Sequence, residues 1–186
     1  DSDPDDAVSI AANKITLEAT ITDRDSDTDT AQLDLGPKLS FKDDGPTATV
    51  DPTKAPTLQV DETASQTTGL NKAVSAEFAA AFSGSAGADG GDAAPSGYAL
   101  NVTNGTASGL LDTATGQAIY LYLNANGVVE GRVGSGDAAN ANGAVAFTVA
   151  VSNTGQVTLT QKTAIKHPVD SDPDDAVSIA ANKITL

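Results

Sequence analysis

The sequence of 186 residues contains no cysteine, no methionine and no tryptophan, and aromatic residues make up only 4% of it. Without cysteine there are no disulfides, thiolate metal sites or thiol nucleophiles. The shortage of aromatic residues means that the core must be built mainly from valine, leucine, isoleucine and alanine. No apolar run approaches the roughly 20 residues that a membrane-spanning helix needs, so we expect no direct membrane insertion.

Cationic side chains are also scarce, with 10 lysines and arginines against 25 acidic residues and a net charge of −15. A chain of this charge repels a phosphate backbone and an anionic membrane surface, so we expect no nucleic-acid partner. Cations are its natural counterpart. Because disulfides are excluded, a hard divalent ion could supply the stabilising cross-link of an extracellular protein.

The sequence shows no arrangement of residues that indicates catalysis. The single histidine, His167, has no cysteine near it and no evident serine partner, so neither a zinc site nor a Ser-His-Asp triad is indicated. Paired carboxylates can hydrolyse glycosides, but the aromatic residues that form sugar platforms are almost missing. We therefore predict that the chain is not an enzyme.

An internal repeat dominates the organisation of the chain. Residues 1–17 and residues 170–186 both read DSDPDDAVSIAANKITL, identical at all 17 positions and 169 residues apart. Periodicity of this kind is typical of tandem arrays. We expect the chain to be one period of a longer array followed by the start of the next copy; the alternative is an engineered duplication.

The pattern of short alternating strands and turns predicts an all-β fold of Greek-key β-sandwich type. Residues 1–46 are predicted to be the carboxyl-side strands of a preceding repeat or a small β module. Residues 47–186 are predicted to form the main sandwich, in which 170–186 begin the next copy. The Asp-Asp-Gly-Pro run at 43–46 marks the boundary.

Alternation of apolar and polar residues predicts most of the strands. Asn-Ala-Asn-Gly at 124–127 and Ser-Asn-Thr-Gly at 152–155 predict hairpin turns. Residues 71–82 fit a helix, with an irregular loop as the alternative, and 83–97 are predicted to be a long loop. The predicted strands are 14–21, 31–35, 39–41, 47–50, 57–60, 98–103, 118–123, 128–133, 144–151 and 156–160.

Clusters of carboxylates are the candidate metal ligands. Four aspartates alternate in TDRDSDTDT, a spacing that lets a curved loop direct several oxygens at one Ca²⁺ ion. The loop is not an EF-hand, because Thr28 stands where glycine is required and Asp34 where glutamate is required. The alternative for each cluster is a solvated acidic turn. The candidate calcium ligands are Asp23, Asp25, Asp27, Asp29, Asp43, Asp44, Asp61, Glu62, Asp3, Asp5, Asp6, Asp172, Asp174 and Asp175.

Several stretches, including ITDRDSDTDTAQLDL, FKDDGPTATV and QVTLTQ, together with the tandem period, resemble the extension-region repeats of giant RTX adhesins. These are long adhesion proteins that Gram-negative bacteria export by type I secretion. The resemblance implies Ig-like or cadherin-like Greek-key β-sandwich modules in tandem, which bind calcium within modules and at linkers. It thereby implies a calcium-binding linker within residues 1–46. It aligns Asp23, Asp25, Asp27 and Asp29 with the family's acidic loop, although Ser26 stands where that loop frequently has glycine.

The function that the resemblance implies is a calcium-stabilised extender at the bacterial cell surface, which holds a distal ligand-binding region away from the cell for adhesion and biofilm formation. The partners would be neighbouring copies of the same repeat, and an isolated repeat is expected to be a monomer. The alternative is an adhesion module that itself binds carbohydrate or protein. Identical repetition favours the extender, and a glycan screen would separate the two.

Overall fold

The computed structural model of the chain describes residues 6–62, 70–169, 172 and 174–186. The chain divides into two compact units. The small unit contains the residues up to Ala48 together with Gly84–Ala94, and the large unit contains Thr49–Ser83 and Pro95–Leu186. The described residues form strands and three short 3₁₀ helices, so the predicted all-β class is confirmed. None of the described helices is long and apolar enough to cross a membrane.

The large unit is built on a six-stranded antiparallel sheet. The sheet consists of β6 (Lys72–Glu77), β8 (Thr106–Leu111), β9 (Ala118–Leu123), β10 (Val129–Val133), β11 (Val145–Val151) and β12 (Gln156–Gln161). The strand order across the sheet is β6-β12-β11-β10-β9-β8. Strands β8 to β11 each pair with the next strand in the chain, and β6, which precedes them, pairs with β12 across a long sequence separation.

The core of the large unit lies on one face of this sheet. Ile119, Leu121 and Val129 are fully buried, and Phe147 is 2% exposed. Gly131 lies between Leu121 and Phe147 in the register of β9, β10 and β11, and the Phe147 ring covers it. The predicted reliance on aliphatic residues is therefore accurate, with a single phenylalanine at the centre of the core.

Both predicted hairpin turns are present. The Gly127 N–H donates to the Asn124 carbonyl (3.0 Å), and the Gly155 N–H donates to the Ser152 carbonyl (3.1 Å). Both glycines have φ in the left-handed region, at 73° and 82°. Glycine adopts this conformation without steric cost, which explains its position at the end of each turn.

The small unit contains two antiparallel ribbons. In one ribbon β1 (Ala7–Ser9) pairs with β4 (Ser40–Lys42), and in the other β2 (Thr16–Thr22) pairs with β3 (Thr28–Asp34). Leu17 lies opposite Leu33 in the second ribbon, and both side chains are more than half exposed. The small unit therefore presents apolar side chains to solvent. A further ribbon joins β5 (Thr47–Val50) to β7 (Phe82–Ser85).

Several sequence-based predictions of secondary structure are wrong. Residues 71–82 form no α-helix, since they contain β6, a 3₁₀ turn at Ala79–Ala81 and the start of β7. Residues 57–60 are not a strand, and residues 98–103 contribute only an isolated bridge from Asn101 to Thr185. Strand β3 begins at Thr28, three residues earlier than predicted, which takes Asp29 out of the acidic loop. Strand β8 was not predicted.

Candidate metal centre

The loop between β2 and β3 brings three of the predicted calcium ligands together. Ligand oxygens of Asp23, Asp25 and Asp27 all lie within 4.8 Å of one another, and the three residues are exposed. The loop is closed by the Asp23 N–H, which donates to the Asp27 carbonyl (2.9 Å). Antiparallel pairing of Thr22 with Thr28 holds the two ends of the loop side by side. A hairpin loop of five residues, 23–27, therefore brings the three carboxylates together.

The Asp23 carboxylate organises the interior of this loop. Its Oδ1 atom accepts hydrogen bonds from the main-chain N–H groups of Asp25 (3.2 Å) and Asp27 (3.0 Å). The pKa of Asp23 lies below its usual range, first because of a hydrogen bond with the Asp25 side chain and then because of these N–H groups. The carboxylate that the loop surrounds is therefore held in its anionic, cation-binding form.

Ser26 adopts an unusual backbone conformation at the tip of the loop. Its φ is 78°, in the left-handed region that favours glycine and that strains a residue with a side chain. Glycine would adopt this conformation without steric cost, so the serine side chain is the source of the strain at the tip of the loop.

Asp29 is separated from this cluster. It lies in β3 opposite Ile21, and its Oδ1 atom accepts a hydrogen bond from the Thr30 N–H (2.9 Å). In the described part of the chain, the group of three or more ligand-type side chains within reach of one ion includes Asp23, Asp25 and Asp27 only. The predicted four-aspartate set is therefore reduced to three in this geometry.

Two other predicted ligands lie in a polar cluster around His167 in the large unit. The Glu62 carboxylate accepts hydrogen bonds from the Ile165 N–H (3.1 Å) and from the Gln161 amide, and it lies 3.9 Å from His167 Nε2. Asp175 lies 3.1 Å from His167 Nδ1 and accepts a hydrogen bond from the Val169 N–H (2.9 Å). Glu62 Oε1 and both Asp175 carboxylate oxygens therefore have partners among other residues of the large unit in this geometry.

The remaining predicted ligands do not gather around one point. Asp43 accepts a hydrogen bond from the Asp44 N–H, and Asp172 accepts one from the Asp174 N–H. The Asp172 hydrogen bond spans two residues and is an Asx turn, which aspartates form without any ion, whereas the Asp43 hydrogen bond is to the next residue. The main chains of Asp6 and Asp61 accept hydrogen bonds from the Asp43 N–H and from Lys72 respectively. Asp3 and Asp5 lie outside the described residues.

A model of a protein family matches most of the chain. Residues 1–36 and 57–186 match a family described as a domain of unknown function (DUF5801). The chain belongs to the DUF5801 family. No curated protein and no solved structure matches the chain significantly.

The DUF5801 match includes both copies of the 17-residue repeat and the whole acidic loop between β2 and β3. It leaves out residues 37–56, which contain Asp43 and Asp44. The best-formed carboxylate cluster therefore lies inside the DUF5801 region, whereas the Asp-Asp-Gly-Pro run lies outside the match.

Proposed function

We propose that this chain is a calcium-stabilised structural repeat of a bacterial surface adhesin, one of a tandem series that holds a distal ligand-binding region away from the cell. The observation that carries the proposal is the identical repetition of 17 residues at a spacing of 169. A module that lengthens a protein is copied many times, whereas a ligand-binding tip usually occurs once. The site of action would be extracellular, where calcium is abundant.

The acidic loop supports the calcium part of the proposal. Three exposed carboxylates at the end of a hairpin repel one another unless a cation neutralises them. Ca²⁺ accepts 6–8 oxygen ligands in flexible geometry, so three carboxylates, main-chain carbonyls and water can complete its coordination. Magnesium requires a stricter octahedral arrangement and gives up water reluctantly, which makes an exposed flexible loop a poorer site for it.

Calcium would act by stabilising the folded state. For a dissociation constant of roughly 10⁻⁴ to 10⁻³ M, typical of extracellular modules, 10 mM Ca²⁺ stabilises the folded form by roughly 1–3 kcal/mol per site. The small unit has a limited core, so this contribution is large beside its total stability. Low calcium inside the cell would leave the unit less stable before export, and high calcium outside would favour folding.

The test is thermal unfolding of the 186-residue chain in calcium, in magnesium and in chelator, followed by circular dichroism because the chain has no tryptophan. We expect calcium to raise the melting temperature of the small-unit transition by several degrees and magnesium to raise it much less. Asp25→Asn and Asp27→Asn should each reduce the calcium shift. Asp89→Asn is the matched control, since it removes the same charge from an exposed position of the same unit outside the triad.

Identical curves in calcium and in chelator would remove calcium from the proposal. A calcium shift that Asp25→Asn and Asp89→Asn reduce equally would show that general charge screening, and not the triad, produces the effect.

A further inference from the structure

The 17-residue repeat provides one amino-acid sequence in two structural environments. Residues 7–17 lie in the small unit and residues 176–186 in the large unit. Both copies form the same turn, with φ of 61° at Asn13 and at Asn182. The two copies nevertheless differ in which of their main-chain and side-chain groups have partners.

In the first copy, the main-chain groups that hydrogen-bond to the rest of the small unit lie along one edge of the segment. The Ile10 N–H donates to the Leu39 carbonyl (3.2 Å), and the Ile15 carbonyl accepts from the Leu35 N–H (2.8 Å). Residues facing each other across antiparallel strands alternate between hydrogen-bonded and non-hydrogen-bonded pairs. Thr16, which faces Asp34, is therefore in a non-hydrogen-bonded pair, and its main-chain N–H and C=O point away from β3.

In the second copy, the main-chain groups that hydrogen-bond to the rest of the large unit lie along the opposite edge of the segment. The Ala180 N–H donates to the Ser108 carbonyl in β8 (2.8 Å), and Thr185 exchanges two main-chain hydrogen bonds with Asn101 (2.8 and 3.0 Å). Ala180 and Thr185 correspond to Ala11 and Thr16, the neighbours of the residues that the first copy uses. The two sets of hydrogen bonds do not compete for a single N–H or C=O group.

The side chains show the same complementarity. The second copy packs Val177, Ile179, Ile184 and Leu186 against the core of the large unit. Three of the corresponding side chains of the first copy are exposed, since Val8 is 66% exposed, Ile15 38% and Leu17 54%, whereas Ile10 is half-buried. The first copy therefore leaves exposed most of the apolar face that the second copy packs against the core.

We propose that this segment is a strand shared by successive repeats. One edge pairs with β4 and β3 of its own repeat, while the other edge and the apolar face complete the large unit of the preceding copy. The partner of the exposed face at 7–17 is then a second copy of the large unit, bound as residues 176–186 are bound here. The same eleven residues serve both modules, so no linker separates them and their relative orientation is fixed.

This inference rests on the tandem repetition and not on calcium binding. The decisive readout is amide hydrogen exchange in the 186-residue chain and in a two-period chain, in which residues 18–186 follow Leu186 a second time. In the described part of the 186-residue chain, the Ile179 amide makes no hydrogen bond, whereas the Ala180 amide donates to Ser108. We therefore expect slow exchange at Ala180 and fast exchange at Ile179.

In the two-period chain, Ile179 gains the pairing that Ile10 makes here, so we expect both amides to exchange slowly. Slow exchange at only one of the two would overturn the shared strand, because the segment would then belong to a single module. Failure of the calcium proposal would appear in the melting curves and not in this pair of amides, so the two results remain distinguishable.

A matched pair of substitutions provides a second test. In the 186-residue chain, Val177→Asp should lower the melting temperature by several degrees, whereas the identical change Val8→Asp should leave it nearly unchanged. If the two variants have the same melting temperature, the two copies do not differ in burial as described. A two-period chain with a second 17-residue segment and a Gly-Ser spacer inserted at the junction tests the fixed orientation. One fluorescent label lies on the first large unit and the other on the second small unit, the two modules that the shared strand would join. We expect the spacer to broaden the distribution of energy-transfer efficiencies; an unchanged distribution would contradict the fixed junction.

Discussion

Replacing Gly131 by alanine is expected to destabilise the large unit through a direct clash with Phe147. A Cβ atom at position 131 would lie 2.2, 2.5 and 2.6 Å from three atoms of the Phe147 ring. Ordinary van der Waals contact begins near 3.4 Å, so the ring would have to move by about 1 Å. Phe147 is only 2% exposed and is packed in the core, which leaves it little room to move.

Overpacking of this kind costs about 1–3 kcal/mol, and occasionally more. For a unit of this size the loss corresponds to a fall in melting temperature of roughly 2–12 °C. Urea unfolding followed by circular dichroism measures the free energy directly, and the slope against urea should stay unchanged if only the folded state is affected.

A double-mutant cycle with Phe147→Leu identifies the cause. The smaller side chain lacks the ring atoms nearest to the added methyl group, so the pair should be less destabilised than the sum of the two changes by about 0.5–3 kcal/mol. Gly127→Ala is the control, because Gly127 has a φ of 73° but no heavy atom within 4 Å of an added Cβ. Its cost should add to that of Phe147→Leu. A neutral Gly131→Ala, or strict additivity with Phe147→Leu, would refute the contact.

Three further changes test the polar network and the loop. Asp112→Ala should cost about 1–3 kcal/mol of unfolding free energy in urea titrations, because this buried carboxylate accepts from the Thr115 N–H (2.9 Å) and hydroxyl (2.7 Å). Ser26→Gly should raise the melting temperature of the small unit, because it relieves left-handed strain of about 1–2 kcal/mol. Hydrogen bonding from Asn124, followed by that from Arg132, holds the pKa of Glu130 below its usual 4.5. Its stabilising contribution is therefore present above pH 4.5 and is lost as the pH falls through the lowered pKa, so the stability gap between wild type and Glu130→Gln should narrow on acidification.

The strands that sequence reasoning located are those in which alternation and turn chemistry agree. Strands β9 to β12 have apolar residues at most of their alternate positions, and turns that end in Gly127 and Gly155 join β9 to β10 and β11 to β12. Strand β8 was not predicted because one of its fully buried residues, Ser108, is polar, which interrupts the apolar alternation. Its hydroxyl donates to the Ile119 carbonyl (2.8 Å) and accepts from the Leu110 N–H (3.1 Å). A buried polar residue whose hydrogen bonds are all made within the protein cannot be recognised from the pattern of hydrophobic residues.

The helix predicted for residues 71–82 is wrong because a local pattern was ambiguous and a long-range pairing decided between helix and strand. Val74, Phe78 and Phe82 are spaced by four, as on one face of a helix, but the intervening residues also alternate as a strand would. Pairing of the whole of β6 with β12 decides in favour of the strand. That pairing joins residues 79 to 89 positions apart, from Glu77 with Gln156 to Lys72 with Gln161, so no local sequence pattern predicts it.

The candidate metal site was only partly predictable, because contacts between distant residues decide where some of the predicted ligands lie. The alternating aspartates correctly indicated a cluster at 23–27, because the loop that gathers them is local. The roles of Glu62 and Asp175 depend on where the chain brings His167, more than 100 residues beyond Glu62. A run of acidic residues therefore identifies a candidate ligand set only when the backbone between its members is short.

The duplicated segment shows which structural features depend on neighbouring residues and which depend on residues distant in the chain. Asn13 and Asn182 share a left-handed φ of 61° because the turn depends on neighbouring residues, which are identical in the two copies. Val8 is mainly exposed and Val177 packs against the core, because burial depends on distant residues that differ. A sequence selected to fit both surroundings must have apolar side chains on one face and free main-chain groups on both edges. The alternation in AVSI satisfies that requirement, and in an array it would allow one strand to end one module and begin the next.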